Sequence, residues 1–338
     1  VAGRNDCLDD VRLSRRGSIM ISVRDLRVDY DQFCAVRDLS IEVKDGEVYG
    51  LIGPNGAGKT STMRAMVGLL APTYGEIQIA GIDLRENPQA VGQVLGFMPD
   101  FPPVYEDLLV WEFLDLFASS YFIPKPRRFP EIERRLHEIG LTEKRNAFIG
   151  ELSRGMRQRL MLAKTLLPEP KVLLLDEPAS GMDPHGRAQM KQVIREFAAA
   201  GGSVLISSHI LSEMDEFCTS VGIMERGELV VSGAVDEISS SPDGSTATLE
   251  IEFIHGELKN EKGQTGEEIF RKVLAHSDLT GDPTRKGKKH IVAFDGGEEE
   301  AAALLKQLIR NGVVVCSFTR KRESLEDVFL HVGAKELS

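Results

Sequence analysis

Long apolar runs are missing from this sequence. No stretch approaches 18 consecutive apolar residues, so no helix of this chain can span a bilayer by itself, and any role at a membrane must come through another subunit. Cysteine is scarce. Cys7, Cys34, Cys218 and Cys316 stand far apart without a CxxC pair, the pattern of reduced thiols in a cytosolic protein. Positive charge is in deficit, with 41 Lys and Arg against 52 Asp and Glu and a formal net charge of -11. That argues against a nucleic-acid partner, which needs a basic excess on one face. The basic cluster Lys125, Arg127, Arg128, Arg134 and Arg135 is local and reads as a solvated or partner-facing surface. The opening VAGRNDCLDDVRLSRRGSI lacks the apolar stretch of a secretory signal. Strand-like alternation begins right after Met20, so Met20 is the expected natural start and residues 1–19 are expected to be disordered.

What is present is ample core material, 42% hydrophobic residues in 338, a length that suggests two domains. Up to about residue 235 short apolar runs alternate with helical patterns, the mark of an α/β fold. ISVRDLRVDY reads as a strand, SIEV and EVYGLIG as strands joined by an Asp45-Gly46 hairpin turn, and KVLLLD and SVLISS as strands buried on both faces of a parallel sheet. Between residues 105 and 165 the strands stop. EDLLVWEFLDLFASSY, PEIERRLHEIG and SRGMRQRLMLAKTLL read there as three helices, so residues of about 100–165 are a helical subdomain inserted in the core. Residues 236–245, with SSSPDGS, read as a linker. Residues 246–338 then follow the order of a small α+β, ferredoxin-like βαββαβ domain, with one strand placed near LTGDPT and a last helix at ESLEDVFLHV. The EEE run at 298–300 suits a solvated helix N-terminus.

The chemistry concentrates in GPNGAGKT, that is Gly53, Pro54, Asn55, Gly56, Ala57, Gly58, Lys59 and Thr60, followed by Ser61. It satisfies GxxxxGK[ST] between a strand and a helix, the context that the pattern requires. Glycines let successive backbone N–H groups curl around phosphate oxygens, and the helix N-terminus adds partial positive charge. Lys59 is placed to reach the β- and γ-phosphates, and the Thr60 hydroxyl to bind Mg²⁺. KVLLLDEP adds Asp176 and Glu177 at the C-terminal end of a buried strand, the edge where open α/β sheets bind ligands. Asp176 suits the Mg²⁺-associated acid, and Glu177 the base that orients the attacking water.

With LSRGMRQRL at 152–160, SGMDP at 180–184 and SSHI at 207–210, these motifs stand in the order seen in ATP-binding cassette (ABC) ATPases, which residues 20–235 resemble. The resemblance implies a P-loop ATPase that binds ATP and Mg²⁺ as a head-to-tail pair. In it, Ser153 and Gly155 would face the γ-phosphate held by the other copy, and Asp183 would link the two sites. His209 looks like the family's switch histidine. Tyr30 stands where the family stacks an aromatic on adenine, or is a strand-end core tyrosine. Two departures are visible: the signature reads LSRGM instead of LSGGQ, with Arg154 facing either solvent or phosphate, and Asp100 stands where a glutamine is usual. A shorter acid that cannot donate when ionised reads either as a turn residue among prolines or as a sensor that approaches Mg²⁺ through a water and reports to Trp111. The tail and appended domain resemble ATPases of drug, antibiotic, polysaccharide or lipid exporters. That implies a homodimer on the cytoplasmic face of the membrane, engaging a separate permease through the helical subdomain. The other readings are a soluble ABC ATPase acting on ribosomes or DNA, and a weakly hydrolysing regulatory module.

Overall fold

The chain alternates between strands that bury one face and strands that bury both. In a computed structural model, residues 17–100, 104–210, 214, 217–238, 247–254, 265–275, 277, 281 and 283–321 are described. Most of the expected leader, 1–16, and the ESLEDVFLHV segment lie outside them. Contacts divide the chain into two units, Val1–Ser232 and Gly233–Ser338.

Among the described residues, the first unit holds two sheets. One is antiparallel, in the order β2-β1-β4-β5, from β1 (Ile19–Tyr30), β2 (Phe33–Lys44), β4 (Tyr74–Ile79) and β5 (Ile82–Asp83). The other has the order β10-β9-β3-β8-β7-β6, from β3 (Val48–Ile52), β6 (Leu95–Met98), β7 (Val172–Asp176), β8 (Ser203–Ser208), β9 (Ser220–Glu225) and β10 (Glu228–Ala234). Its pairs β9–β3, β3–β8, β8–β7 and β7–β6 are parallel. Every residue of β3, β7 and β8 is buried, as an apolar run covered on both faces requires. Helix α1 (Lys59–Met66) contributes Met63, Ala65 and Met66 to a core that also takes Val28 and Val36 from the first sheet and Leu51 and Leu174 from the second.

The Asp45-Gly46 hairpin is corrected by this topology. β2 pairs with β1 while β3 lies between β8 and β9, so the turn passes the chain from one sheet to the other. Gly46 takes φ +73°, the left-handed turn conformation that an Asp-Gly pair favours, but the two-sided burial of β3 decides its partners. Strand β1 also begins at Ile19, one residue inside the expected leader.

Helix α2 (Pro88–Val94) precedes β6, and α6 (Pro184–Ala199) lies between β7 and β8. The helical subdomain has α3 (Val110–Ser120), α4 (Lys125–Glu138) and α5 (Arg154–Leu166). α3 starts later than EDLLV suggested because Leu109 is extended, forms a bridge with Phe148, and has its N–H bonded to the Glu112 carboxylate at 3.0 Å. α4 starts at Lys125, five residues ahead of the expected Pro130, since Pro126 occupies its first turn, where no donor is needed.

The second unit runs α7 (Val235–Ile238), β11 (Ala247–Phe253), α8 (Gly266–Leu274), β12 (Thr284–Lys286), β13 (Lys289–Phe294), α9 (Glu298–Arg310) and β14 (Val315–Lys321). The one-turn α7 falls in the expected linker. The sheet order β12-β13-β11-β14, antiparallel throughout, is that of a split βαβ pair. β12 begins at Thr284, the last residue of LTGDPT. Leu249, Ile251, Val292 and Phe294 pack with Phe270 and Leu304 of the two helices. Glu298, Glu299 and Glu300 are the exposed first turn of α9.

Candidate functional site

Parallel strands β3, β8 and β7 lie side by side and end at one edge, in the register Ile52 with Ser208 and Asp176 with Ser207. From that edge β3 passes into the phosphate loop, β7 into Glu177 and β8 into His209. β6, beside β7, leads to Asp100.

The loop needs glycine where it has it. Gly58 caps α1 at φ +103°, and a Cβ there would run into the Ala35 carbonyl oxygen. Gly56 has φ +84° and faces open space. Pro54, Asn55 and Gly56 are exposed, Ala57 is buried, Thr60 is exposed and Ser61 half-buried, so the turn is anchored at its base and open above. Lys59, only 6% exposed, donates to the carbonyl oxygens of Gly53 at 2.7 Å and Pro54 at 3.2 Å. Its ammonium lies 3.7 Å from Oε1 of Glu177. Burial pushes the Lys59 amine below its ordinary pKa, and the nearby Glu177 and Asp176 charges oppose that.

Asp176 is buried and accepts the Ser207 hydroxyl at Oδ1, 2.6 Å away. The same Ser207 oxygen accepts the Glu177 N–H at 3.0 Å. This clamp matters because Glu177 has φ +49°, a left-handed conformation that costs a residue with a side chain about 1–2 kcal/mol. Oε2 of Glu177 lies 2.8 Å from Nδ1 of half-exposed His209. Glu177 therefore touches Lys59 on one side and His209 on the other.

Asp100 joins the group electrostatically. Burial raises its carboxyl pKa, as do the charges of Asp176 and then Glu177, while Arg154 and His209 lower it. Its backbone carbonyl accepts Nε2 of Gln158 at 3.0 Å, and among the described residues its buried Oδ1 has no hydrogen-bond partner.

Ser153, Arg154, Gly155 and Asp183 lie on a second pair of elements, the start of α5 and the loop before α6. Ser153 caps α5, accepting the Met156 N–H at 3.3 Å, and Gly155 is buried against Met182. Asp183 caps α6, accepting the Gly186 N–H at 2.9 Å, and these backbone bonds hold its carboxyl below the usual range. Arg154 is exposed, as its solvent reading expected, and its guanidinium also lies over Gly181, with Nη2 donating to Ser180 Oγ at 3.2 Å. Tyr30 is 41% exposed, which removes the core-tyrosine reading, and its hydroxyl is 3.4 Å from Ser61 Oγ.

Sequence reasoning missed Ser207 and Gln158. The serine pair ending the apolar SVLISS is a signal for the first, and a glutamine on the buried face of α5 for the second. Among the described residues no three His, Cys, Asp or Glu side chains group as a metal site. The oxygens of Thr60, Asp176 and Asp100 are the donor type of a hard cation that phosphate oxygens help to hold.

Residues 36–180 match the family described as "ABC transporter". The chain is 33% identical to YxlF of Bacillus subtilis, named as an uncharacterized ABC transporter ATP-binding protein, over 93% of this chain and 99% of that one. It is 32% identical to the bacitracin transport ATP-binding protein BcrA of Bacillus licheniformis, over 93% and 97%. A solved structure described as the ATP binding subunit of an ABC transporter superposes on 65% of this chain and 91% of its own, at TM-score 0.60 and 32% identity. Among the described residues no helix is long and apolar enough to cross a membrane. A phosphate loop, its buried acids and near full-length likeness to such subunits agree: this chain belongs to the ATP-binding subunits of ABC transporters, a family that binds ATP and works with membrane permeases.

Proposed function

We propose that the chain binds Mg²⁺ and ATP, hydrolyses ATP as a head-to-tail homodimer on the cytoplasmic face of a membrane, and powers export through a separate permease. The observation that carries this is Glu177, held by the Ser207 clamp between Lys59 and His209 at the mouth of the phosphate loop. The backbone N–H groups of the loop after Pro54 and of the start of α1 receive the phosphates, and Lys59 turns from the Gly53 and Pro54 carbonyls to the β- and γ-oxygens. Glu177 accepts a proton from the attacking water and fixes its approach, while His209 steadies the carboxylate and reaches the γ-phosphate. Thr60 and Asp176 would hold Mg²⁺, with Asp100 approaching through a water, and the ion supplies neutralisation of phosphate charge. Ser153 and Gly155 of one copy would cover the γ-phosphate of the other, Asp183 would link the two sites, and Tyr30 would lie against adenine. Closure and reopening of the pair would pass to the permease through the helical subdomain, with Asp100 and Trp111 at its entry. The export direction is supported by the name of another relative, the Nod factor export ATP-binding protein I of Burkholderia lata, 29% identical over 94% of this chain.

The test is steady-state hydrolysis by the purified full chain beside Glu177→Gln, with mass measured in solution with ATP. Lost turnover and an ATP-dependent doubling of mass are expected of the variant. Equal rates reject Glu177 as the base, and a persistent monomer rejects the pair. An integral membrane protein is expected to co-purify from native membranes, whereas ribosomes in its place would overturn the transporter reading.

A further inference from the structure

Arg159 of α5 is a buried cation that the mechanism above leaves unused. Among the described residues it makes no ion pair, and its Nε has no hydrogen-bond partner. Core packing alone does not ask for such a residue, because a guanidinium cannot shed its charge and is costly to bury without a carboxylate. What it holds is specific. Its Nη1 donates to the carbonyl oxygen of Ile139, just past α4, at 2.9 Å and to Oε1 of Gln189 on α6 at 2.6 Å. The first bond sets a cation at the negative end of a helix dipole, and the second leaves the helical subdomain for the helix between β7 and β8. Gln189 is also met from its other side. Gly140 follows α4 at φ +63°, and a Cβ there would run into the Gln189 amide. A Cβ at Gly186 would stand 3.7 Å from Arg159 Nε and 3.5 Å from Asp183 Oδ2, so the guanidinium also reaches the first turn of α6. Gln189 is therefore a tenon of α6 seated between Gly140 and Arg159. At its other end α6 begins at Pro184, seven residues after Glu177, and the turn between them has little slack. Ser180 N–H donates to the Glu177 carbonyl at 3.1 Å, Met182 N–H to that of Ala179 at 3.2 Å, and Asp183 caps the helix.

We propose that Arg159 and Gln189 are positioning residues that join α6 to the helical subdomain, so that the place of that subdomain sets the backbone of Glu177 and with it the rate of hydrolysis. This role rests on the reading of Glu177 as the base of ATP hydrolysis. A permease that displaces the helical subdomain then acts on the base through Ile139, Arg159, Gln189 and α6, a route separate from Asp100. The phosphate loop and Lys59 lie off that route, so the joint governs turnover and leaves nucleotide affinity alone.

The test uses the full chain with four changes. Gln189→Ala removes the tenon, Gly140→Ala fills its seat, Arg159→Lys keeps the charge but loses the forked geometry, and Gln189→Glu keeps an acceptor for Arg159. Steady-state kcat and KM are measured beside affinity for a fluorescent ATP analogue and the urea midpoint. Gln189→Ala and Gly140→Ala should lower kcat about five- to tenfold with affinity within about twofold of the parent, while Gln189→Glu keeps about half of the parent's kcat or more. Arg159→Lys should fall between. A lower urea midpoint with kcat per folded molecule unchanged would reduce the pair to a role in folding and overturn the joint. Affinity and turnover lost together in Gln189→Ala would place the pair at nucleotide binding and overturn it as well. A parent without turnover sinks the hydrolysis reading and this role with it. A parent that turns over at the same rate as Gln189→Ala sinks this role alone.

Discussion

Ser207→Ala removes one oxygen atom and orphans two partners. The hydroxyl is fully buried, donates to Asp176 at 2.6 Å and accepts the Glu177 N–H at 3.0 Å. A hydrogen bond to a charged group contributes about 1.5–3 kcal/mol, and a buried amide left without a partner costs about 1–3 kcal/mol. Loss of both puts the change at about 3 kcal/mol or more. Ser203→Ala is the matched control, on the same strand and equally buried, with a hydroxyl that donates only to the Lys44 carbonyl at 2.9 Å, a bond of about 1 kcal/mol. Urea unfolding followed by Trp111, the chain's single tryptophan and a reporter of the first unit, separates the two. With a slope of about 3 kcal/mol per molar, the midpoint should fall by roughly 1 M for Ser207→Ala and by about a third of that for Ser203→Ala. Turnover should fall with the first variant and not the second, because Glu177 loses the bond that fixes its left-handed backbone. Equal midpoints in the two variants would refute the clamp.

Glu177→Gln should lower kcat by roughly 10²–10⁴ with ATP affinity retained, read by single-turnover hydrolysis beside equilibrium binding. Gly58→Ala puts a Cβ at φ +103° into the Ala35 carbonyl and should cost at least about 1–2 kcal/mol in the same urea assay, with nucleotide binding lost. Asp183 has its folded pKa depressed by backbone donors, so its cap contributes fully above the unfolded value of about 4 and is lost as pH falls through the lower folded value. Asp183→Asn should therefore flatten the acid limb of the stability profile below about pH 4, and an unchanged limb would count against the cap.

What could be read in the sequence was what local chemistry decides. VLLLD and SVLISS were legible as doubly covered strands because their apolar runs are continuous, and GPNGAGKT because its glycines sit where only glycine fits. The Asp-Gly turn misled because a turn reports its own geometry and not its strands' partners. Those are set by burial of β3 among β8 and β9. The helix expected from Pro130 begins earlier, at Lys125, because Pro126 sits where the helix has no bond to lose. Arg154 and Ser207 were opaque for a different reason. Each finds its partners on a separate segment, Ser180 and Gly181 for one and Asp176 with the Glu177 amide for the other.

The order β3-β8-β7 also makes the sheet a ruler. Phosphate loop and acids spring from strands with exactly one strand between them, so their backbones stand two inter-strand spacings apart, roughly 9–10 Å. That gap is a constant of the hydrogen-bond ladder and takes no instruction from the loops. Lys59 bridges it because its side chain is long enough to come within 3.7 Å of Glu177. The width of the seat is therefore set apart from the chemistry its loops supply, and substitutions that disturb β8 should alter that width without touching a loop residue.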